Sequence, residues 1–207
     1  MTVDNRAFWD RSARKYDTFT RHFSQEYAEV VRRISQDVEE AQRIVEVAAG
    51  TGLITLELAR AGRQIEGIDI SPAMIIQAQK KGRVQGLDNV RFLVGSAYKL
   101  PWPDESCDAV ICANALHVME RAGQAVNEMR RVLKVQGKLI VPTYCHGENL
   151  RARTISCFMH LFGFRAYTHF TVKGLQGFLE AHGFSTVMAD RLGGVIPLCY
   201  VVCLRMQ

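Results

Sequence analysis

Short apolar runs alternate with amphipathic, helix-spaced stretches along most of this chain. Residues 5–40 set Tyr27, Val30, Val31 and Ile34 three or four positions apart, as a helix with one buried face requires. The runs Arg43–Ala48, Ile65–Ile70, Val90–Val94, Ala109–Ala113 and Lys138–Pro142 predict strands. Between them, Leu53–Ala61, the stretch after Ser71-Pro72 and Ala122–Lys134 predict helices. Ser71 offers an N-cap, Pro72 a first-turn proline and Gly86 a stop. Such alternation builds a parallel sheet with helices on both faces.

The pattern changes after the fifth strand. Residues 147–170 form an apolar, aromatic and basic insertion, and a helix (Leu175–His182) then runs into Gly183. Strands Phe184–Arg191 and Leu198–Leu204 follow, joined by a short turn holding Gly193, Gly194 and Pro197. A parallel crossover needs about a dozen residues, so these two strands must pair antiparallel. The expected fold is α/β, with a seven-stranded, mostly parallel sheet ending in an antiparallel C-terminal hairpin strand.

Composition narrows the class. At 207 residues, 48% hydrophobic and 23% charged, the chain reads as one globular domain able to bury a core. No apolar run approaches the roughly 18 residues of a membrane span. Met1–Arg6 has no apolar core of a secretory signal, so the cytoplasm is the default location. Six cysteines are scattered without a CxxC pair. Cys107, Cys112, Cys199 and Cys203 lie in apolar strand-like runs, which predicts buried reduced thiols. The net charge of +5 is mild, but Arg151, Arg153, Arg165 and Lys173 face only Glu148 between residues 144 and 173. That cluster is either a solvated basic face or an attraction for an anionic substrate or lipid surface.

The chemistry concentrates in Val45–Gly52 and Asp69. A buried strand, a tight turn of small residues, a helix and a second strand ending in a carboxylate form a nucleoside site. Backbone approaches the ligand at the turn, and the acid accepts from ribose hydroxyls. A dinucleotide fingerprint begun at Gly50 and Gly52 would put its third glycine at Thr55, whose side chain would push the helix outward. The antiparallel ending also argues against nicotinamide. The shorter pattern acid-x-small-x-Gly-x-Gly fits Glu46, Ala48, Gly50 and Gly52.

Five blocks together resemble the class I S-adenosylmethionine-dependent methyltransferases, in particular the group containing quinone, sterol and phospholipid methylases. They are Phe8-Trp9-Asp10 with Ala13, Tyr16 and Asp17; Glu46–Gly52; Gly67–Pro72 with Met74; Leu100–Asp104 through Asp108; and Arg131–Lys134 with Gly137-Lys138-Leu139. The resemblance covers roughly residues 8–142. It implies a Rossmann-like single domain over 1–207, with 1–40 as a helical lid and 144–172 as an insertion covering the acceptor. It implies that Asp69 takes both ribose hydroxyls and that Ile70 and Met74 pack on adenine. Ala97 would donate its N–H to the adenine edge, and Gly50, Thr51 and Gly52 would approach the methionine portion. Asn114 and Ala115 would line the sulfonium end, and Tyr16 would close the pocket.

Two positions depart from the family pattern. Ala48 replaces the usual first glycine, a tolerable change at negative φ. Ser96 stands where an aspartate usually accepts from the adenine amino group, and without charge that contact weakens.

Methyl transfer from a sulfonium needs alignment and exclusion of water more than acid–base help. A base matters only when the acceptor must lose a proton. His117, just past the fourth strand, is the candidate for that role; the alternative is a wall histidine that shapes the site. Tyr144 and His146, past the fifth strand, are candidates for substrate contact or ordinary loop residues. Phe158, Met159, Leu161, Phe162, Phe164, Tyr167 and Phe170 in the insertion suggest a bulky apolar acceptor, or else a helix packed on the core. Asn114–His117 lacks the prolines and aromatic of an amino-methylating signature. No metal site and no nucleic-acid partner is expected. Three readings result: a methyltransferase acting on a small molecule, a phospholipid or quinone methyltransferase touching a membrane surface, or a non-catalytic cofactor-binding regulator.

Overall fold

Two units divide the chain, residues 1–97 and 98–207. The computed structural model describes residues 6–20, 24–144, 166–192 and 198–207, the side chains of residues 19 and 24–26 excepted. The first unit contains α1 (Arg6–Thr20), α2 (Ser24–Asp37), β1 (Ile44–Val47), α3 (Leu53–Arg60), β2 (Ile65–Asp69), α4 (Pro72–Val84) and β3 (Val90–Val94). Its strands run parallel in the order β3-β2-β1, with Ile44 beside Ile65 and Ile65 beside Val90. Every residue of β1 is buried, as a parallel strand covered on both faces must be. Val30 and Ile34, four positions apart, form the buried stripe of α2, which Val38 continues just past its end. The Ser71 hydroxyl accepts the Met74 N–H at 3.1 Å, which satisfies one orphan donor at the start of α4. Ala49, Leu56, Ile75, Ala78 and Phe92 close a core cluster in this unit.

The second unit contains β4 (Cys107–Ile111), a 3₁₀ turn (Leu116–Val118), α5 (Ala122–Val132), β5 (Leu133–Tyr144), α6 (Val172–Glu180), β6 (Phe184–Leu192) and β7 (Leu198–Arg205). Its strand order is β4-β5-β7-β6: β4 and β5 are parallel, and β7 is antiparallel to both β5 and β6. The seven-stranded, mostly parallel sheet with an antiparallel C-terminal hairpin is therefore present, its last strand seated between β5 and β6.

Two details differ from expectation. The helical pattern extends through Leu133 and Lys134, yet these residues open β5, because Leu133 pairs with Cys107. The register then jumps to Ala109 beside Lys138, so residues 134–137 bulge from the strand. Gly137 is required there: a Cβ would lie 2.8 Å from the Lys134 carbonyl and 3.2 Å from that of Asp108. The cysteines also divide. Cys107, Cys112 and Cys203 are buried thiols as expected, whereas Cys199 is disulfide-bonded. Among the described residues no helix is long and apolar enough to cross a membrane.

Candidate functional site

The turn after β1 is built from alternate left-handed residues: Ala48 at φ 60°, Gly50 at 55° and Gly52 at 77°. Gly52 admits no side chain, since a Cβ would lie 2.7 Å from the Phe92 ring and 3.2 Å from the Ala78 Cβ. Gly50 is open: no atom lies within 4 Å of where its Cβ would stand, which leaves room for a ligand against the backbone. Ala48 corrects an expectation. Alanine would be harmless there at negative φ, but the residue sits in the left-handed region, where a methyl group is strained.

Asp69 closes β2 opposite this turn and is 8% exposed. Its Oδ2 accepts the Gly50 N–H at 2.8 Å and its Oδ1 the Ser71 N–H at 2.8 Å. A carboxylate oxygen can accept two bonds, so each keeps one free direction within these contacts. Burial raises the Asp69 pKa above the usual carboxylate value; the Ser71 and Gly50 N–H groups pull it down, and nearby Asp10 pushes it up. Hydroxyl donors arriving from a ribose would favour the charged form.

Glu46 lies deeper, at 3% exposure. Its Oε2 accepts the Thr55 N–H at 2.9 Å and also the Thr55 hydroxyl. Burial pushes this carboxyl up to about 8, against the lowering effect of the two Thr55 bonds and with a small push from Asp69. Thr55 is fully buried. Where a dinucleotide fold packs a glycine, α3 is instead tied by a side-chain bond to β1.

The remaining candidates in this unit fall around the turn and the strand ends. Thr51 is buried between Gly50 and Gly52, and its hydroxyl donates to Asp17 Oδ1 at 2.5 Å. Ile70 is 37% exposed immediately after Asp69, whereas Met74 is buried in the first turn of α4. Ser96 and Ala97 are half-buried just past β3. Tyr16 is half-buried on α1, edge-on to Trp9 with 6.1 Å between ring centres.

In the second unit Asn114 adopts φ 51° and donates its N–H to the Pro142 carbonyl at 2.7 Å. Ala115 is buried beside it. His117 is 2% exposed, and its Nδ1 lies 3.0 Å from the Thr143 hydroxyl. The His117 carbonyl accepts the Tyr167 and Thr168 N–H groups at 2.8 and 3.2 Å. Tyr144 is half-buried at the end of β5. His146 lies outside the described residues, as do Arg151, Arg153, Phe158, Met159, Leu161, Phe162, Phe164 and Arg165. Phe170, from the same aromatic insertion, is buried with its ring 5.4 Å from Phe178 of α6.

Sequence reasoning places Asp10 and Asp17 in the first resemblance block without giving either a role, and it does not single out Thr143. Asp10 and Asp17 carry a signal, since they repeat at seven residues one position after Trp9 and Tyr16. Thr143 carries none beyond its place at a strand end.

Known proteins share this geometry and sequence. Residues 45–141 match the family described as "Methyltransferase domain". A demethylmenaquinone methyltransferase of Renibacterium salmoninarum is 35% identical over 143 residues, covering 68% of this chain and 58% of that protein. The chain spans about half the length of the curated relatives it matches. Among solved structures, an S-adenosylmethionine-dependent methyltransferase from Thermotoga maritima superposes with a TM-score of 0.79 at 21% identity, covering 95% of this chain and 98% of that one. A chain from the Haloferax volcanii complex of the Trm112 activator with a methyltransferase gives 0.81 at 17% identity, covering 99% and 98%. These two likenesses speak for the fold.

Proposed function

The chain belongs to the class I S-adenosylmethionine-dependent methyltransferases, and on that footing we propose that it moves a methyl group from S-adenosylmethionine to a small organic acceptor. Asp69 carries the reading. A buried carboxylate that has accepted two N–H groups and keeps acceptor capacity on both oxygens is suited to the two hydroxyls of a ribose. Gly50 leaves the backbone open to the methionine portion, and Ile70 offers an exposed apolar surface for adenine, with Ser96 and Ala97 at its polar edge. Tyr16 is assigned to the cover, Thr51 and Gly52 to the shape of the turn. Asn114 and Ala115 are assigned to the sulfonium end.

The donor supplies an activated methyl whose sulfur leaves with the bonding electrons as a neutral thioether. The protein's contribution is then alignment and a dry site. Where the acceptor must lose a proton, His117 is the group assigned to take it. Its Nδ1 pairs with the Thr143 hydroxyl, which can donate or accept; when that hydroxyl accepts from Nδ1–H, Nε2 carries the lone pair that can take a proton. Tyr144 and His146 are assigned to acceptor contact.

A second reading names the acceptor as a quinol, and the relatives called demethylmenaquinone methyltransferase favour it. A quinol would give its hydroxyl proton to His117, its ring carbon would bond the methyl, and the ring proton would leave afterwards to restore aromaticity.

Calorimetric titration with S-adenosylmethionine and S-adenosylhomocysteine tests the first reading. We expect dissociation constants below about a millimolar, and Asp69→Ala to lose roughly 1.5–3 kcal/mol of that binding. No binding by the wild type, or an unchanged affinity in the variant, overturns it. For the second reading, labelled methyl should appear in a demethylquinol held in vesicles, and its absence would exclude that acceptor.

A further inference from the structure

We infer that Asp10 and Asp17 are positioning residues that fasten α1 to the cofactor turn and to α4, so that docking of α1 and retention of the cofactor form one coupled equilibrium. The two acids are seven residues apart, two helical turns and about 10 Å of rise, which sets them on one face of α1. Asp10 Oδ1 accepts the Ser71 hydroxyl at 2.5 Å and the Ala73 N–H at 3.3 Å. Asp17 Oδ1 accepts the Thr51 hydroxyl at 2.5 Å, and its Oδ2 accepts the Lys81 ammonium at 2.9 Å.

Both acids therefore grip residues adjacent to the candidate cofactor groups. Ser71 is shared outright: its hydroxyl goes to Asp10 while its N–H goes to Asp69. Thr51 sits between Gly50, whose N–H holds Asp69, and Gly52. Any shift of α1 is felt at both ends of the Asp69 cradle.

The fastening adds polar ties to a helix whose aromatic residues Phe8, Trp9 and Tyr16 are only half-buried. Among its described side chains the buried apolar one is Ala13, and Arg11, Arg14 and Lys15 are exposed. A helix with one buried apolar side chain among those described lies toward the low-stability end of local opening. The Asp17–Lys81 pair, with side chains 34% and 26% exposed, is worth little alone. The buried Thr51 hydroxyl makes Asp17 the stronger tie. Asp10 adds a negative charge to the N-terminus of α4, where the helix dipole favours it, and the Ser71 hydroxyl holds its carboxyl below the usual range. Cofactor affinity scales with the fraction of molecules whose α1 is docked.

The inference rests on the proposed cofactor site, and the full chain can test the two separately. Tryptic cleavage at Arg11, Arg14 and Lys15 is followed with and without S-adenosylhomocysteine, alongside dissociation of that ligand by stopped flow. We expect the ligand to protect these bonds in the wild type. Asp17→Ala should be cleaved faster and release the ligand about 5- to 30-fold faster. Lys81→Met should show about 2- to 4-fold, and the double variant no more than Asp17→Ala, because both changes remove one shared contact. Asp17→Asn, which keeps the Thr51 contact, should recover most of the loss. If the wild type binds S-adenosylhomocysteine but gains no protection, or Asp17→Ala shifts only the melting temperature, the coupling is wrong and the cofactor reading stands. If the wild type does not bind it at all, both fall.

Discussion

In the first unit Asp69 accepts two backbone N–H groups and keeps an acceptor direction on each oxygen. In the second unit Arg131 has used every N–H it owns. Its Nε and Nη2 donate to Glu128, Nη1 to the Trp102 carbonyl and to Asp104, and Nη2 also to the Leu100 carbonyl. Both residues belong to sequence blocks that carry the family resemblance, yet they do opposite things. A side chain with spare hydrogen-bonding capacity at a strand end can meet a ligand; one with none braces the chain. The block Leu100–Asp104 and the block around Arg131 are thus a single clamp, read in two pieces along the sequence.

Arg131 offers the most visible test of this contrast. Arg131→Met removes five hydrogen bonds and takes from Glu128 its guanidinium partner, leaving it the Leu100 N–H, which its Oε2 accepts at 2.8 Å. The guanidinium is partly exposed, so the loss should be about 2–4 kcal/mol of unfolding free energy, measured by denaturant titration. Affinity of the folded fraction for S-adenosylhomocysteine should stay within about twofold, since bracing residues act away from the ligand. A parallel collapse of affinity would erase the distinction between bracing and binding blocks.

Glu46 probes the same distinction from within the first unit. Unlike Asp69, it has turned to Thr55 and is buried, with its carboxyl raised from 4.5 to about 8. Between those values the folded protein holds a proton that the unfolded chain has released, so this group stabilises fully at low pH and its contribution is lost as pH rises through about 8. From pH 7 to 8.5 the wild type should lose roughly 1–1.5 kcal/mol relative to Glu46→Gln, which has no proton to release. Denaturant titrations of both proteins at the two pH values measure the difference. Equal slopes would mean that Glu46 is ionised in the fold and belongs with Asp69.

What is legible in the sequence follows the range of the interactions. Period and punctuation locate β1, β2, β3, α3 and α4, because Ser71, Pro72 and Gly86 act on their own neighbours. The short turn before β7 announces antiparallel pairing, but not that β7 lies between β5 and β6, which depends on strand contacts across the chain. The start of β5 is hidden because Leu133-Lys134 continues a helical pattern until Cys107 claims Leu133 as its partner. The Asp69 site is readable because strand, turn and acid all fall between Val45 and Asp69. The partners of Asp17 are not, since Thr51 and Lys81 lie 34 and 64 residues away from it. The Thr143 partner of His117, 26 residues on, is equally silent.

The smallest effect concerns the turn itself. Ala48 holds φ 60° half-buried, in a conformation that costs a non-glycine L-residue roughly 1–2 kcal/mol. Glycine removes that strain but loses more backbone entropy on folding, about 0.5–1 kcal/mol relative to alanine. The two terms oppose, so Ala48→Gly should stabilise the protein by only about 0.5 kcal/mol, a small rise in the midpoint of a denaturant titration. Ala48 is flanked by Val47 and Ala49, both buried, and Ala49 donates its N–H to the Ile68 carbonyl, so the turn's path is set by neighbours that the substitution leaves alone. Cofactor affinity should therefore stay level. A gain in affinity beyond about threefold would mean instead that the alanine methyl intrudes on the ligand, and that this departure from the family's usual glycine tunes binding rather than merely being tolerated.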